Sequence, residues 1–177
     1  MRIICILGRS GSGKSTLEKK LEKLGYNRII SYTTREIRGN EQDGVEYHFV
    51  TTEQFQSLIE KDILMEHAEY NGNYYGAPRP VGSINNVIVV ETDGFKKIKQ
   101  LFGKQAIGVY VDTPLDIITD RINVRNDTSS TDAINRSKED DRKFDEIKDI
   151  VDLVIDGSRP ADLSVLKILR FIKSRGV

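Results

Sequence analysis

The chain has 177 residues, with 27 Lys plus Arg against 27 Asp plus Glu, so its formal net charge is zero. That length predicts one compact domain over residues 1–177 with a sizeable core, and the balanced charge leaves no general electrostatic footprint for nucleic acid. Cys5 is the single cysteine, which excludes an intrachain disulfide; with no apolar run of membrane-spanning length and no charged leader, the expectation is a cytoplasmic protein without a membrane partner.

Arg2 to Leu7 (RIICIL) reads as a buried strand. It runs into GRSGSGKS, Gly8 to Ser15, and then into a helical pattern carrying Leu17, Leu21 and Leu24 that Gly25 stops. Strand, glycine-rich loop and helix form the setting of a Walker A phosphate loop. Its glycines let successive backbone N–H groups turn inward on phosphate oxygens, and the helix start adds partial positive charge. Lys14 then reaches the β- and γ-phosphates and Ser15 the Mg²⁺. The competing reading, a glycine turn with no ligand, requires the four-point pattern and both flanks to coincide by chance.

Arg28 to Tyr32, Val87 to Val90, Ile107 to Val111 and Leu153 to Ile155 are further short apolar runs alternating with helical stretches. Such alternation predicts an α/β fold with a parallel sheet flanked by helices. Thr51 and Gln54 form a capping box before Phe55, Leu58 and Ile59. Thr113 and Pro114 take N-cap and first-turn positions before Leu115, Ile118 and Ile122. A last helix presents Leu163, Leu166, Leu169 and Ile172 to the sheet.

Two stretches break the rhythm. Residues 33–82 are dense in Arg, Tyr, Glu, Gly and Asn, which predicts an inserted subdomain with its own polar pocket. Residues of about 121–142 are charged and predict a mobile lid, leaving 1–32, 83–120 and 143–177 as the core. Within the insertion, Arg35 and Arg38 stand three apart and Tyr47 follows the Asp43-Gly44 turn, so two guanidiniums and a phenol can converge on one phosphate. Glu66 precedes the pair Tyr74 and Tyr75, and a carboxylate complements the N1–H and N2–H₂ donors of a guanine edge. Taken alone, Arg35, Arg38 and Glu66 each read better as part of a solvated salt-bridge surface, and it is their company that changes the weighting.

In these segments, from the phosphate loop to about Asp156, the chain resembles the guanylate kinase family. The motifs are Ser31 to Arg38 (SYTTREIR), Asp43 to Phe49 (DGVEYHF), Glu66 to Ala68 (EHA) and Gly72 to Gly76 (GNYYG). The resemblance implies a P-loop NTPase core and ATP-dependent phosphorylation of GMP or dGMP, with Mg²⁺ as the ion that accompanies ATP. It implies a donor site of Gly8, Arg9, Ser10, Gly11, Ser12, Gly13, Lys14, Ser15 and Thr16. Arg35, Arg38, Tyr47 and Tyr75 would bind the acceptor phosphate, and Ser31, Glu66 and Glu91 would read the base. Arg121, Arg125 and Arg136 have the spacing of lid arginines that close on the transferring phosphoryl group, joining Lys14 and Arg35 in catalysis. Ser15 and Asp93 would lie at the metal. His48 and His67 read as packing or surface residues, and the chain as a monomer or homodimer.

Four departures from the family pattern cluster on the acceptor side. Glu91-Thr92-Asp93 replaces Asp-x-Asp, Ala77 replaces a small hydroxyl residue, Pro78 to Asn86 is shortened, and so is the segment after Asp93. They leave open a kinase of another nucleoside monophosphate or of a phosphorylated sugar. A non-catalytic guanylate-kinase-like module that binds phosphopeptides is the reading from a different class, and it typically loses the loop and lid residues that remain here.

Overall fold

Every residue of the first strand is buried, because helices cover both faces of the sheet at whose centre it lies. The computed structural model describes residues 1–39, 41–70, 72–82, 85–124 and 147–175. In chain order the elements are β1 (Ile3–Leu7), α1 (Lys14–Lys23), β2 (Asn27–Arg28), β3 (Tyr32–Thr33), β4 (His48–Phe49), α2 (Thr52–Glu60), β5 (Leu64–Tyr70), β6 (Asn73–Pro78), β7 (Asn86–Val89), α3 (Thr92–Phe102), β8 (Ala106–Asp112), α4 (Leu115–Val124), β9 (Leu153–Asp156) and α5 (Ala161–Ser174).

The main sheet runs β2-β7-β1-β8-β9 and is parallel throughout. Strand alternation divides its core in two. Ile3, Cys5 and Leu7 pack with Ile88, Phe95 and Ile98, on the side of α3. Ile4 and Ile6 pack with Leu17 and Leu21 of α1 and Val165 and Ile168 of α5. The glycine-rich loop Gly8–Gly13 therefore emerges at the C-terminal edge of the central strand, where open α/β sheets place their ligands.

A second sheet, β4-β3-β6-β5, is built on the β5–β6 hairpin, with β3 antiparallel to β6 and parallel to β4. The capping box forms as predicted: the Gln54 N–H donates to Thr51 Oγ1 at 3.2 Å and the Thr51 N–H to Gln54 Oε1 at 2.9 Å. It starts α2, whose buried Phe55 stacks on Tyr74 at 5.6 Å and supports β6 from one side. Tyr75, the next residue, points to the other side.

Three expectations are corrected. The run Arg28 to Tyr32 is not one strand: Asn27–Arg28 pairs with β7, while Tyr32–Thr33 pairs with β6. Glu18 of α1 fixes the point of departure, accepting from Arg28 Nε at 2.8 Å and from the Val89 N–H at 3.1 Å. On α5 the buried row is Val165, Ile168 and Ile172, whereas Leu163 and Leu166 are 50% and 49% exposed. Both rows satisfy helical spacing, and they differ by a small rotation about the axis. Thr113 does not cap α4; its hydroxyl donates to the Ser12 carbonyl at 3.1 Å. Of the expected lid, Arg121 to Val124 form the last turn of α4, and Arg125 and Arg136 lie outside the described residues. Among the described residues no helix is long and apolar enough to cross a membrane.

Candidate active site

The loop Gly8–Gly13 owes its shape to glycine at its end. Gly13 stands at φ 103°, a left-handed conformation that other L-residues rarely adopt, and its carbonyl accepts the first α1 bonds, from Thr16 and Leu17. Lys14 folds back over the loop, its ammonium donating to the Gly8 carbonyl at 2.6 Å and the Arg9 carbonyl at 2.9 Å. Ser15 and Thr16 follow in the first turn of α1, both exposed at the helix start. Beside the loop is a cavity of about 680 Å³, lined by Gly11 to Gly13, Thr16, Arg121 and the Arg159–Ala161 turn. Arg121 forms part of its wall and donates to two backbone carbonyls, Ser12 at 3.2 Å and Gly157 at 2.9 Å. A cavity with a helix start and the Arg121 guanidinium in its wall suits a phosphorylated ligand.

The second sheet brings Arg35, Tyr47 and Tyr75 together. The Arg35 backbone N–H bonds Thr33 Oγ1 at 3.2 Å, and its guanidinium lies 5.6 Å from the centre of the Tyr47 ring. Tyr47 meets Tyr75 edge-on at 6.0 Å. Burial pushes the Tyr47 phenol up and the neighbouring Tyr75 adds to this, while Arg35 opposes them. The phenol therefore stays protonated near neutrality and can donate to an anion. Sequence reasoning missed Glu41, whose two oxygens each accept from Arg35 Nη2 at 2.9 Å and one of which takes the Arg38 N–H at 2.9 Å. Its signal was an acid six residues beyond an arginine in a turn, which no strand or helix period picks out. Arg38 is exposed, and Ser31 accepts the His48 N–H through its carbonyl at 2.9 Å. His48 packs on Tyr32 at 4.8 Å and His67 is exposed, as anticipated.

Glu66 lies on β5 opposite Ala77, and its carboxylate occupies space that only a glycine leaves: a Cβ on Gly94 would stand 3.0 Å from Oε2. Burial pushes this carboxyl up to about 7, against the pull of Lys97 and the Ala77 N–H, and Glu91 raises it further. Glu91 is the exposed N-cap residue of α3, without a side-chain capping bond. Asp93 lies in the first turn, its side chain 77% exposed and 3.9 Å from Lys96. These acids thus flank the start of α3. The described residues contain no cluster of three His, Cys, Asp or Glu able to hold a metal.

The family model for guanylate kinase matches residues 1–174. The guanylate kinase of Desulfitobacterium hafniense (strain Y51) is 33% identical over 176 residues, covering 93% of this chain and 86% of that protein. That of Sus scrofa is 39% identical over 137 residues, covering 71% and 68%. The crystal structure of guanylate kinase from Anaplasma phagocytophilum superimposes with a TM-score of 0.72 at 22% identity, covering 98% of this chain and 85% of that one, which speaks for the fold. A family model that spans nearly the whole chain, with relatives at 33–39% identity, shows that the chain belongs to the guanylate kinase family.

Proposed function

We infer that the protein transfers the terminal phosphoryl group of ATP directly to GMP or dGMP, giving ADP and GDP or dGDP. The observation that carries this reading is the presence of two separate anion-binding groupings with a buried carboxyl beside the second: the loop with Lys14, and Arg35 with Tyr47 and Tyr75. A phosphate oxygen of the acceptor attacks the γ-phosphorus in line, and the bond to the bridging oxygen of ADP breaks. The attacking oxygen is already anionic, so no protein nucleophile takes part.

Gly8 to Thr16 cradle the donor phosphates, and Lys14 neutralises charge that grows on the transferring group. Arg35, Arg38, Tyr47 and Tyr75 hold the acceptor phosphate. Glu66 and Glu91, with Ser31, read the guanine edge. Arg121 would exchange its two backbone carbonyls for phosphate oxygens, joined by Arg125 and Arg136. Ser15, an exposed hydroxyl and a hard oxygen donor of the kind Mg²⁺ takes, would hold the ion, and the exposed Asp93 would assist it. Bound Mg²⁺ supplies charge neutralisation at the phosphates. We place the protein in the cytoplasm.

A coupled ADP-release assay over the common nucleoside monophosphates tests the assignment. GMP and dGMP are accepted, and AMP is rejected by ~10²-fold or more in kcat/KM, because adenine brings no N1–H or N2–H₂ donor to the half-buried Glu66 carboxylate. Equal use of AMP, CMP or UMP would overturn the base-reading roles.

Glu66 also gives the reaction a pH dependence. A protonated Glu66 cannot accept both guanine donors, so kcat/KM for GMP rises as pH increases through about 7. The acceptor phosphate itself titrates near ~6, a step that Glu66→Gln retains while losing the upper one. Superimposable profiles for wild type and Glu66→Gln would remove Glu66 from the base pocket. The same group acts on stability in the opposite sense. Its carboxyl lies above the ordinary 4.5, so its contribution is full below that value and is lost as pH rises through about 7.

A further inference from the structure

Thr113 stands between β8 and α4 with its side chain buried, where a hydroxyl requires a partner. That partner is the Ser12 carbonyl, 3.1 Å away. The same oxygen accepts a second bond, from Arg121 Nη1 at 3.2 Å. Gly157, just past β9, packs against both groups: its N–H bonds the Asp112 carbonyl at 2.6 Å, and a Cβ on it would lie 1.9 Å from Thr113 Oγ1 and 3.1 Å from the Ser12 carbonyl oxygen. The phosphate loop, the β8–α4 junction, α4 and the turn after β9 therefore meet at one carbonyl. Ser12 Oγ is itself buried without a hydrogen-bond partner among the described residues, so its side chain does not help to hold this peptide.

The Ser12 carbonyl and the Gly13 N–H belong to one trans peptide and point to opposite sides of the chain. Anchoring the oxygen on Thr113 therefore directs the N–H away from Thr113. Glycine on one side of a peptide makes its rotation inexpensive, and Gly13 is that glycine, so an external anchor decides the orientation. We propose that Thr113 is a positioning residue for the donor nucleotide: by holding the Ser12 carbonyl, its hydroxyl presents the Gly13 N–H to a donor phosphate. The proposal rests on the reading of Gly8–Ser15 as the donor phosphate site. Arg121 holds the same oxygen but also lines the cavity, and under the proposed function it would leave that carbonyl for phosphate oxygens.

Isothermal titration of ATP with Mg²⁺, and separately of GMP, into wild type, Thr113→Val and Thr113→Ser tests this. Thr113→Val keeps the shape and loses the hydroxyl, and is expected to weaken ATP about 10-fold, the worth of one such hydrogen bond, while GMP affinity stays the same. Thr113→Ser restores ATP binding. If the valine variant does not fold, Thr113→Ala serves in the same comparison. A folded variant lacking the hydroxyl that binds ATP as wild type does, or that loses ATP and GMP affinity in equal measure, overturns the proposal and leaves the donor-site reading standing. Failure of the wild-type protein to bind ATP overturns both.

Discussion

Replacing Lys14 with alanine lowers turnover by about 10³-fold and leaves the fold in place. The size follows from what the ammonium does: it meets charge that grows on the transferring phosphoryl group, and removing one such preorganised donor costs ~10²–10³ in rate. The stability cost is small, because without nucleotide the same ammonium bonds the Gly8 and Arg9 carbonyls at the edge of the loop rather than filling the core. Two net hydrogen bonds at a part-buried site contribute about 1–3 kcal/mol. Thermal unfolding should therefore shift by a few degrees while single-turnover ADP formation collapses. A folded Lys14→Ala protein with near-normal turnover would remove the loop from the reaction.

The loop was legible because its signal is local. Glycine spacing, the Lys14-Ser15 pair and both flanks lie within one short stretch, and covalent connection alone places them. The parallel sheet was legible for a related reason, since burial on both faces prints continuous apolar runs such as Ile3–Leu7 and Ala106–Asp112. What failed depended on partners distant in sequence. An apolar run reports that a strand is buried but not which sheet it joins, so Arg28 to Tyr32 read as one element although it serves two. Leucine spacing on α5 fitted a face turned slightly from the buried one. Thr113 before Pro114 carried an N-cap signature, but α4 begins one residue later, with the Ile118 N–H on the Pro114 carbonyl at 3.1 Å, and the Thr113 hydroxyl donates to a carbonyl 101 positions earlier. On the second sheet the grouping of Arg35, Tyr47 and Tyr75 was legible through ordered motifs. Their electrostatic partner Glu41 was missed because a turn has no period to reveal it.

Arg35→Ala is expected to lower kcat/KM for GMP by ~10²–10³-fold, chiefly through the acceptor KM. The reasoning starts from the guanidinium's surroundings, since its side chain is only 10% exposed and is held by Glu41 at 2.9 Å over the Tyr47 and Phe49 rings. A planar donor fixed in this way meets phosphate without further ordering, and its charge-assisted bonds are about twice as strong as neutral ones. Two such bonds at the lower end for a charged donor, about 1.5–2 kcal/mol each, give the stated range. Lysine should not rescue the loss, because a single ammonium cannot hold Glu41 through one nitrogen and phosphate through another in the same plane. Arg38→Ala should cost less, as that side chain is exposed and must be ordered when GMP arrives. Glu41→Ala should reproduce part of the Arg35 defect, and the double variant Arg35→Ala/Glu41→Ala should be little worse than Arg35→Ala alone. Steady-state kinetics on the five variants, with GMP varied at saturating ATP, measure all of these. Equal KM values for wild type and Arg35→Ala would place the acceptor phosphate away from the Tyr47–Tyr75 pair.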